Sequence, residues 1–285
     1  MKKMKRRKPN RSKGGDVFIY LMLILFGAFF AYPLIYAINN AFKPLDEIFL
    51  FPPKLFVQKP TVDNFKDLFV IMGKSWVPFS RYIFNTVFIT ATGTMGHLAI
   101  ASMGAYVLAK YKFPGSKLFF QAVIIALMFS TYVTAIPNYL IMTKLGWVDT
   151  YLAVIVPAFA SPMGLFLMKQ FMEGIPDSLI EAAKIDGAKE GAIFIKIVLP
   201  MVKPAWLTLI IFSIQNLWNN KATTFIYSEE LKTLPYALQQ IINGGVARAG
   251  VGAAVSLFMM IVPVSIFILA QSNIIETMAT SGIKD

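Results

Sequence analysis

The chain has 285 residues, 56% of them hydrophobic and only 15% charged, with a net charge of +12. So apolar a composition excludes an ordinary soluble domain and points to a polytopic membrane protein. No cysteine is present, which excludes disulfides, thiolate metal sites and cysteine nucleophiles.

Eight of the 27 Lys and Arg residues fall within the first 13 positions, directly ahead of an apolar run. That is the arrangement of a cytoplasmic anchor under the positive-inside rule, so residues 1–16 read as a basic cytoplasmic tail rather than a nucleic-acid-binding arm. Val17 to Ile38 carries no formal charge over 22 residues, slightly more than the roughly 20 that cross the hydrocarbon core. The run is too long for a signal-peptide core, and Tyr32-Pro33 followed by Asn39-Asn40 is a poor cleavage site. It is therefore expected to be a retained first span.

Residues 40 to 80 contain prolines at 44, 52, 53, 60 and 78 and read as an external segment. Within it Phe65, Leu68, Phe69 and Met72 recur at helical spacing, so Thr61 to Met72 is expected to form an amphipathic helix. Tyr82 to Ala109 supplies a second span rich in Gly, Ala, Ser and Thr. Small residues let helices approach closely in lipid, so this span is expected to lie buried among the others. It carries His97, the one histidine of the chain, and an ionisable group at membrane depth is a candidate functional residue. No Asp or Glu lies in any span to partner it, and a neutral imidazole bonded to a hydroxyl or carbonyl is the simpler expectation. Lys110 to Lys117 is a short basic turn on the inner side. Leu118 to Met142 follows as the third span, with Pro137 expected to kink its outer end. Thr143 to Thr150 is a brief external loop, and Tyr151 to Met168 is the fourth span.

Gly174 to Pro200 is the longest charge-bearing interruption in the second half of the chain. Pro176 and Asp177 mark a helix start, because proline tolerates the first turn and a carboxylate there faces the positive end of the helix dipole. A short helix is expected over Asp177 to Ile185, Gly187 permits a change of direction, and a second helix over Ala188 to Val198 is expected to stop at Pro200. Ile193, Phe194, Ile197 and Val198 are placed to bury against the undersides of the spans. A fifth span runs from Ala205 to about Asn220 and ends in the cluster Gln215-Asn216-Leu217-Trp218-Asn219-Asn220. Asn216, Trp218 and Asn219 are candidates for a solute pathway, since amides hydrogen-bond sugar hydroxyls and an indole stacks on a pyranose. Anchoring at the headgroup level is the alternative for the same residues. Lys221 to Gly250 reads as external, and its glycine-rich end lacks the GxxxxGK[ST] spacing of a phosphate loop. Val251 to Gln271 is the sixth span, and residues 273–285 form a cytoplasmic tail. This topology puts 17 Lys and Arg inside and 10 outside, the sign the positive-inside rule requires.

A solute pathway of this kind needs an energy source. The sequence has no phosphate loop for ATP and no carboxylate within a span to bind a driving proton or sodium ion. Energy is then expected to enter through a partner, docked on the charged loop. The alternatives are an ion-driven secondary transporter, or an intramembrane enzyme with His97 as its base.

Glu181-Ala182-Ala183, Gly187, Ile197 and Leu199-Pro200 match the EAA motif of ABC-importer permeases at every position. Ile175-Pro176, Ile185-Asp186-Gly187-Ala188, Phe194 and Lys203-Pro204 resemble its carbohydrate branch, the maltose-transporter type, as does the turn Ala105 to Gly115. The resemblance covers the chain from about Thr61 to its end and is to the shorter, six-span subunit of that type. It implies an all-α membrane protein with six transmembrane helices and a cytoplasmic coupling-helix loop. Glu181, Ala182, Ala183, Asp186, Gly187, Ile197, Leu199 and Pro200 would couple to an ATPase. The implied partners are a second permease subunit, two ABC ATPase subunits that hold the ATP and Mg, and an external solute-binding protein. No cofactor would be bound by this chain. A Trp-Asn pair like Trp218-Asn219 recurs at this place in the sugar permeases, and the tail from Met278 resembles one that lies against the ATPases. Ser281 and Asp285 depart from the small residues usual there. The substrates implied are mono- and oligosaccharides, with glycerol phosphate as the non-sugar alternative.

Overall fold

The computed structural model describes residues 13–74 and 76–281, so most of the basic tail and the last four residues lie outside the described residues. Everything regular in it is helical. In order, the helices are α1 Lys13–Ala41, α2 Leu45–Ile48, α3 Asp63–Gly73, α4 Phe79–Lys110, α5 Ser116–Met128, α6 Thr131–Lys144 and α7 Leu152–Phe159. They continue with α8 Pro162–Glu173, α9 Asp177–Ile185, α10 Glu190–Ile193, α11 Leu199–Met201, α12 Lys203–Trp218, α13 Leu234–Ile242 and α14 Ala249–Ser281. Among the described residues four stretches are long and apolar enough to cross a membrane: Gly14–Ala41, Phe79–Lys110, Leu152–Glu173 and Ala249–Gln271. Two bent pairs, α5 with α6 and Glu190–Met201 with α12, bring the total to six when each counts as one span.

The chain divides into two compact units. One runs through Leu68 and includes Gly244–Leu257. In it α1 exposes apolar side chains on every side, among them Phe18, Leu21, Leu25 and Phe29. The loop beyond is knit by polar groups: the buried Glu47 carboxylate accepts from the backbone N–H groups of Gln58 at 2.7 Å and Lys59 at 3.2 Å. Buried Asn64, on α3, donates to the carbonyls of Ala41 and Lys43, and Gly250 lies so close that a Cβ there would stand 2.2 Å from the Asn64 Oδ1. The amphipathic helix was expected over Thr61 to Met72; it forms two residues later, with Leu68 and Met72 buried and Phe69 54% exposed.

The other unit, Phe69–Asn243 with the chain from Phe258 onward, is organised around α4. Helices α7, α8 and α12 all pack on it. The small residues of α4 admit this, because side chains from its neighbours fill the space a Cβ would occupy. Phe159 takes the place beside Gly96 and Leu217 the place beside Gly93. The second span is thus buried among others, as its composition implied.

Three spans differ from expectation. The third, expected to run unbroken over 118–142, is cut at Phe129 and Ser130, where both residues are extended and the flanking helices turn by 113°. Ser130 caps α6, its Oγ accepting the Tyr132 N–H at 3.3 Å. A hydroxyl competing for backbone bonds makes the break there, whereas Pro137 sits inside α6. The fourth, expected over 151–168, breaks at Ala160 and Ser161 and reaches Glu173, because Pro162 favours a fresh first turn. The loop helix after Gly187 begins at Glu190 rather than Ala188 and does not stop at Pro200. A π-helical turn, Phe194–Val198, precedes that proline. It changes the hydrogen-bond register at the point where the proline ring would crowd the carbonyl four residues back. The chain bends by 80° only at Val202, before Lys203-Pro204. The last helix continues ten residues past the expected end at Gln271.

Candidate functional site

Helix α9 covers the expected residues, Asp177 to Ile185, starting after Pro176. Its end is closed by a Schellman motif. Gly187 adopts φ +79°, its N–H donates to the Lys184 carbonyl, and the Ala188 N–H donates to the Ala183 carbonyl, each at 3.0 Å. Only glycine takes that left-handed conformation without penalty, so this residue sets the reversal.

One face of α9 is cemented to the bundle. Ile180 and Ala183 join a buried cluster with Ile193 and Val198, both 0% exposed, and with Ala101, Ala105 and Tyr106 of α4 and Met168 and Met172 of α8. Phe194, Ile197 and Leu199 pack half-buried on the same cluster. Polar clips fix the two ends. Lys110, at the end of α4, has its side chain only 6% exposed; its Nζ lies 2.7 Å from Asp177 Oδ1 and also donates to the Ile175 carbonyl. At the other end Lys184 pairs with Glu190 at 2.7 Å, and the Tyr106 hydroxyl donates to the second Glu190 oxygen at 3.1 Å. The hydrogen bond and charge of Lys110 hold the Asp177 carboxyl below its ordinary range, and Glu190 pushes the Lys184 ammonium up.

The opposite face is bare. Glu181, Ala182 and Asp186 are exposed, together with Leu179 at 43% and Ile185 at 86%. Of the residues singled out by sequence, Ala183 therefore points into the bundle and Ala182 away from it. Pro200 is exposed. The part of Leu179 and Ile185 in the bare face, and that of Lys110, escaped sequence reasoning. Leu179, Ala182 and Ile185 recur every three residues, an outward stripe legible as a second apolar phase on the same helix. Lys110 read only as topological charge, and nothing in the sequence signals its 67-residue reach to Asp177.

At the far end of α12 a cavity of about 760 Å³ is lined by Asn138, Gln215, Asn216, Asn219, Thr223 and Thr224. Ala153, Val154, Pro157 and Ala158 make an apolar side, and Phe225, stacked on Tyr139, makes an aromatic wall. Amides and hydroxyls facing an apolar surface are suited to a neutral, hydroxyl-rich solute. The Asn219 amide donates to the Gln215 carbonyl at 2.8 Å, which orients it. Trp218 is not in this cavity: it is 5% exposed and its Nε1 donates to the Met259 carbonyl at 3.1 Å. An indole at a span end was a candidate for stacking, but its apolar area gains more from burial against the last span. The rim loop is held by Asp149, which accepts from the Tyr227 and Ser228 N–H groups at 2.9 and 2.8 Å. His97 is 4% exposed, and among the described residues its Nε2 has no hydrogen-bond partner. Among the described residues no cluster of His, Asp or Glu could hold a metal.

The chain is 32% identical over 285 aligned residues to the arabinooligosaccharides transport system permease protein AraQ of Halalkalibacterium halodurans, covering 96% of this chain and 99% of the relative. It is 31% identical to the polygalacturonan/rhamnogalacturonan transport system permease protein YtcP of Bacillus subtilis, covering 80% and 78%. Its fold is similar to a chain of a bacterial ABC transporter involved in the import of the acidic polysaccharide alginate, with a TM-score of 0.77 and 22% identity over 93% of this chain and 99% of that one. Residues 98–278, which hold the docked loop and both ends of α12, match the binding-protein-dependent transport system inner membrane component family, and the chain belongs to it: a multi-pass permease subunit of an ABC importer.

Proposed function

We propose that this permease imports a neutral oligosaccharide, handed over by an external solute-binding protein, and that ATP hydrolysis in two partner subunits drives it through α9. The observation that carries the coupling step is the two-faced seating of α9. Ile180 and Ala183 are locked to α4, α8 and α10, while Leu179, Glu181, Ala182 and Ile185 face outward with no cover. A helix held this way passes a push to the span ends through packed side chains, and offers a partner a short apolar ridge flanked by carboxylates. With no phosphate loop in the sequence, the nucleotide site belongs to the partner.

The membrane topology follows from the same reading. The α9 side is cytoplasmic, with both termini, and the Asn216 cavity opens to the outside. The exposed apolar surface of α1, and of α4 at Met95 and Met103, is expected to be covered by lipid and by a second, different permease subunit. For the solute, a lining in which amides and hydroxyls outnumber the one cation, Lys221, favours a neutral sugar over a phosphate. Lys221 reaches its rim but donates to Gln239 Oε1 at 2.9 Å. The test is uptake in proteoliposomes carrying the full complex. ATP-dependent accumulation of arabinotriose, unaffected by collapsing proton and sodium gradients, is expected; accumulation of glycerol 3-phosphate instead, or dependence on an ion gradient, would overturn the proposal.

A further inference from the structure

The segment between α2 and α3 carries an apolar surface to which solute transport gives no role. Phe49, Leu50, Phe51 and Phe56 all lie exposed there, Phe51 at 95%. So many bare apolar side chains on one short loop mark contact with a partner or with lipid.

Polar bonds fix where this loop lies. The buried Lys43 ammonium donates to the Asn40 side chain at 2.8 Å and to the Lys54 carbonyl, and it stands 5.3 Å from the centroid of the Tyr36 ring. The Val57 N–H donates to Asn39 Oδ1 at 3.1 Å. Tyr36, Asn39 and Asn40 belong to the last turns of α1, so residues 54–57 have folded back alongside the end of that span. Phe56 is therefore level with the span end rather than beyond it. Depth follows from length: the 29 residues of α1 make a helix about 43 Å long, which matches a bilayer together with its headgroup zones. The last turns, where Tyr32 stacks on Tyr36 at 6.2 Å, then fall at the interface, the level at which tyrosines gather.

Helix α1 has need of such a contact. It buries none of its most apolar stretch, so packing within its own unit does not set its depth. A span of this kind takes its position from interfacial anchors. Eight Lys and Arg in the first 13 residues serve at the inner end. At the outer end Lys54 and Lys59 are exposed beside the aromatic patch, and cations next to aromatic side chains suit a phosphate-bearing lipid surface. Of the two carboxylates there, Asp46 stays exposed, while Glu47 is turned inward onto the Gln58 and Lys59 N–H groups.

We infer that residues 49–56 form an interfacial wedge seated in the outer leaflet, with Phe49, Leu50, Phe51 and Phe56 entering the boundary between headgroups and acyl chains and Lys54 and Lys59 meeting lipid phosphates. The inference rests on the topology above, which puts this loop outside.

The absence of native cysteine makes a direct test possible. Phe51→Cys, Phe56→Cys and, as the water-exposed control on α3, Lys66→Cys are each made in the full complex with cysteine-free partner subunits, labelled with the fluorophore NBD and reconstituted in phospholipid vesicles. NBD at 51 and 56 is expected to be shielded several-fold from aqueous iodide relative to 66, and to be quenched more by a lipid with its nitroxide near the headgroup than by one with it at the chain end. Adding the solute-binding protein is expected to change neither result. Free access of iodide at either position, shielding from iodide and nitroxide lipids alike, or shielding that arises only with the binding protein overturns the wedge; the last two outcomes put a protein on the patch. The topology is read separately, with an impermeant maleimide expected to reach Lys66→Cys in right-side-out membrane vesicles. Reaction in inverted vesicles alone overturns the topology and the outer-leaflet placement with it, whereas reaction from outside with iodide free at 51 overturns the wedge and leaves the topology standing.

Discussion

Gly187 offers a perturbation whose size the structure fixes in advance. A Cβ added there meets nothing within 4 Å, so Gly187→Ala creates no clash; its whole cost lies in holding φ at +79°. For an L-residue that conformation costs roughly 1–2 kcal/mol, a factor of about 5–30 in the population of the closed Schellman turn. Asn adopts the left-handed region more readily, so Gly187→Asn should recover most of the loss. Gly187→Val adds β-branching and should be the worst of the three. The assay is limited proteolysis of the 174–200 loop in the detergent-solubilised full complex, read alongside co-purification of the ATPase subunits. The expected order is Gly, Asn, Ala, Val, with both readouts moving together and thermal stability of the bundle little changed. Equal behaviour of Ala and Asn, or complete loss of ATPase with Ala while the loop stays protected, would refute the strain argument and make the glycine a direct contact.

The Lys110 tether predicts a pH effect. Because the folded Asp177 carboxyl lies below its ordinary range, the tether contributes above the unfolded carboxylate pKa and is lost as pH falls through the folded value. Loop protection in wild type should therefore weaken on acidification, while Lys110→Met should be weak and flat across the same range. Gly164→Ala forces a Cβ against His97 and should cost about 1–3 kcal/mol in overpacking, seen as a lower melting temperature that His97→Ala restores. Trp218→Phe loses the bond to the Met259 carbonyl and should lower stability by about 0.5–1.5 kcal/mol, with no change in which sugar is carried. Retained stability with altered selectivity would return Trp218 to the pathway.

The loop at 174–200 was the most legible part of the sequence. Pro176, Asp177 and Gly187 act through local backbone preferences, and those are written residue by residue. The location of the apolar runs was legible for a similar reason, since desolvation sums over apolar length regardless of partner, though not where the helices within them break or end. What failed depended on competition between effects at one place. Pro200 stops a helix in isolation, but a π turn upstream accommodates it. Ser130 breaks a span through a single hydroxyl bond, while the more conspicuous Pro137 is carried inside α6. Orientation was also hidden. Ala182 and Ala183 are identical in chemistry and face opposite ways, and Trp218 turns inward while Asn216 and Asn219 open to the cavity, because the neighbours that decide this lie tens of residues away. That His97 packs against Gly164 of α8 likewise belongs to tertiary structure alone.

The account turns on α9 being the place where energy enters. Its direct measurement is cross-linking from Ile185→Cys, on the bare face, against Ile193→Cys, in the buried cluster, within the assembled and otherwise cysteine-free permease. The account predicts that a short thiol-to-amine reagent joins Ile185→Cys to an ATPase subunit and arrests ATP-driven sugar uptake, while Ile193→Cys gives no adduct. Uptake continuing at full rate with Ile185→Cys cross-linked, or an ATPase adduct from Ile193→Cys alone, would contradict it.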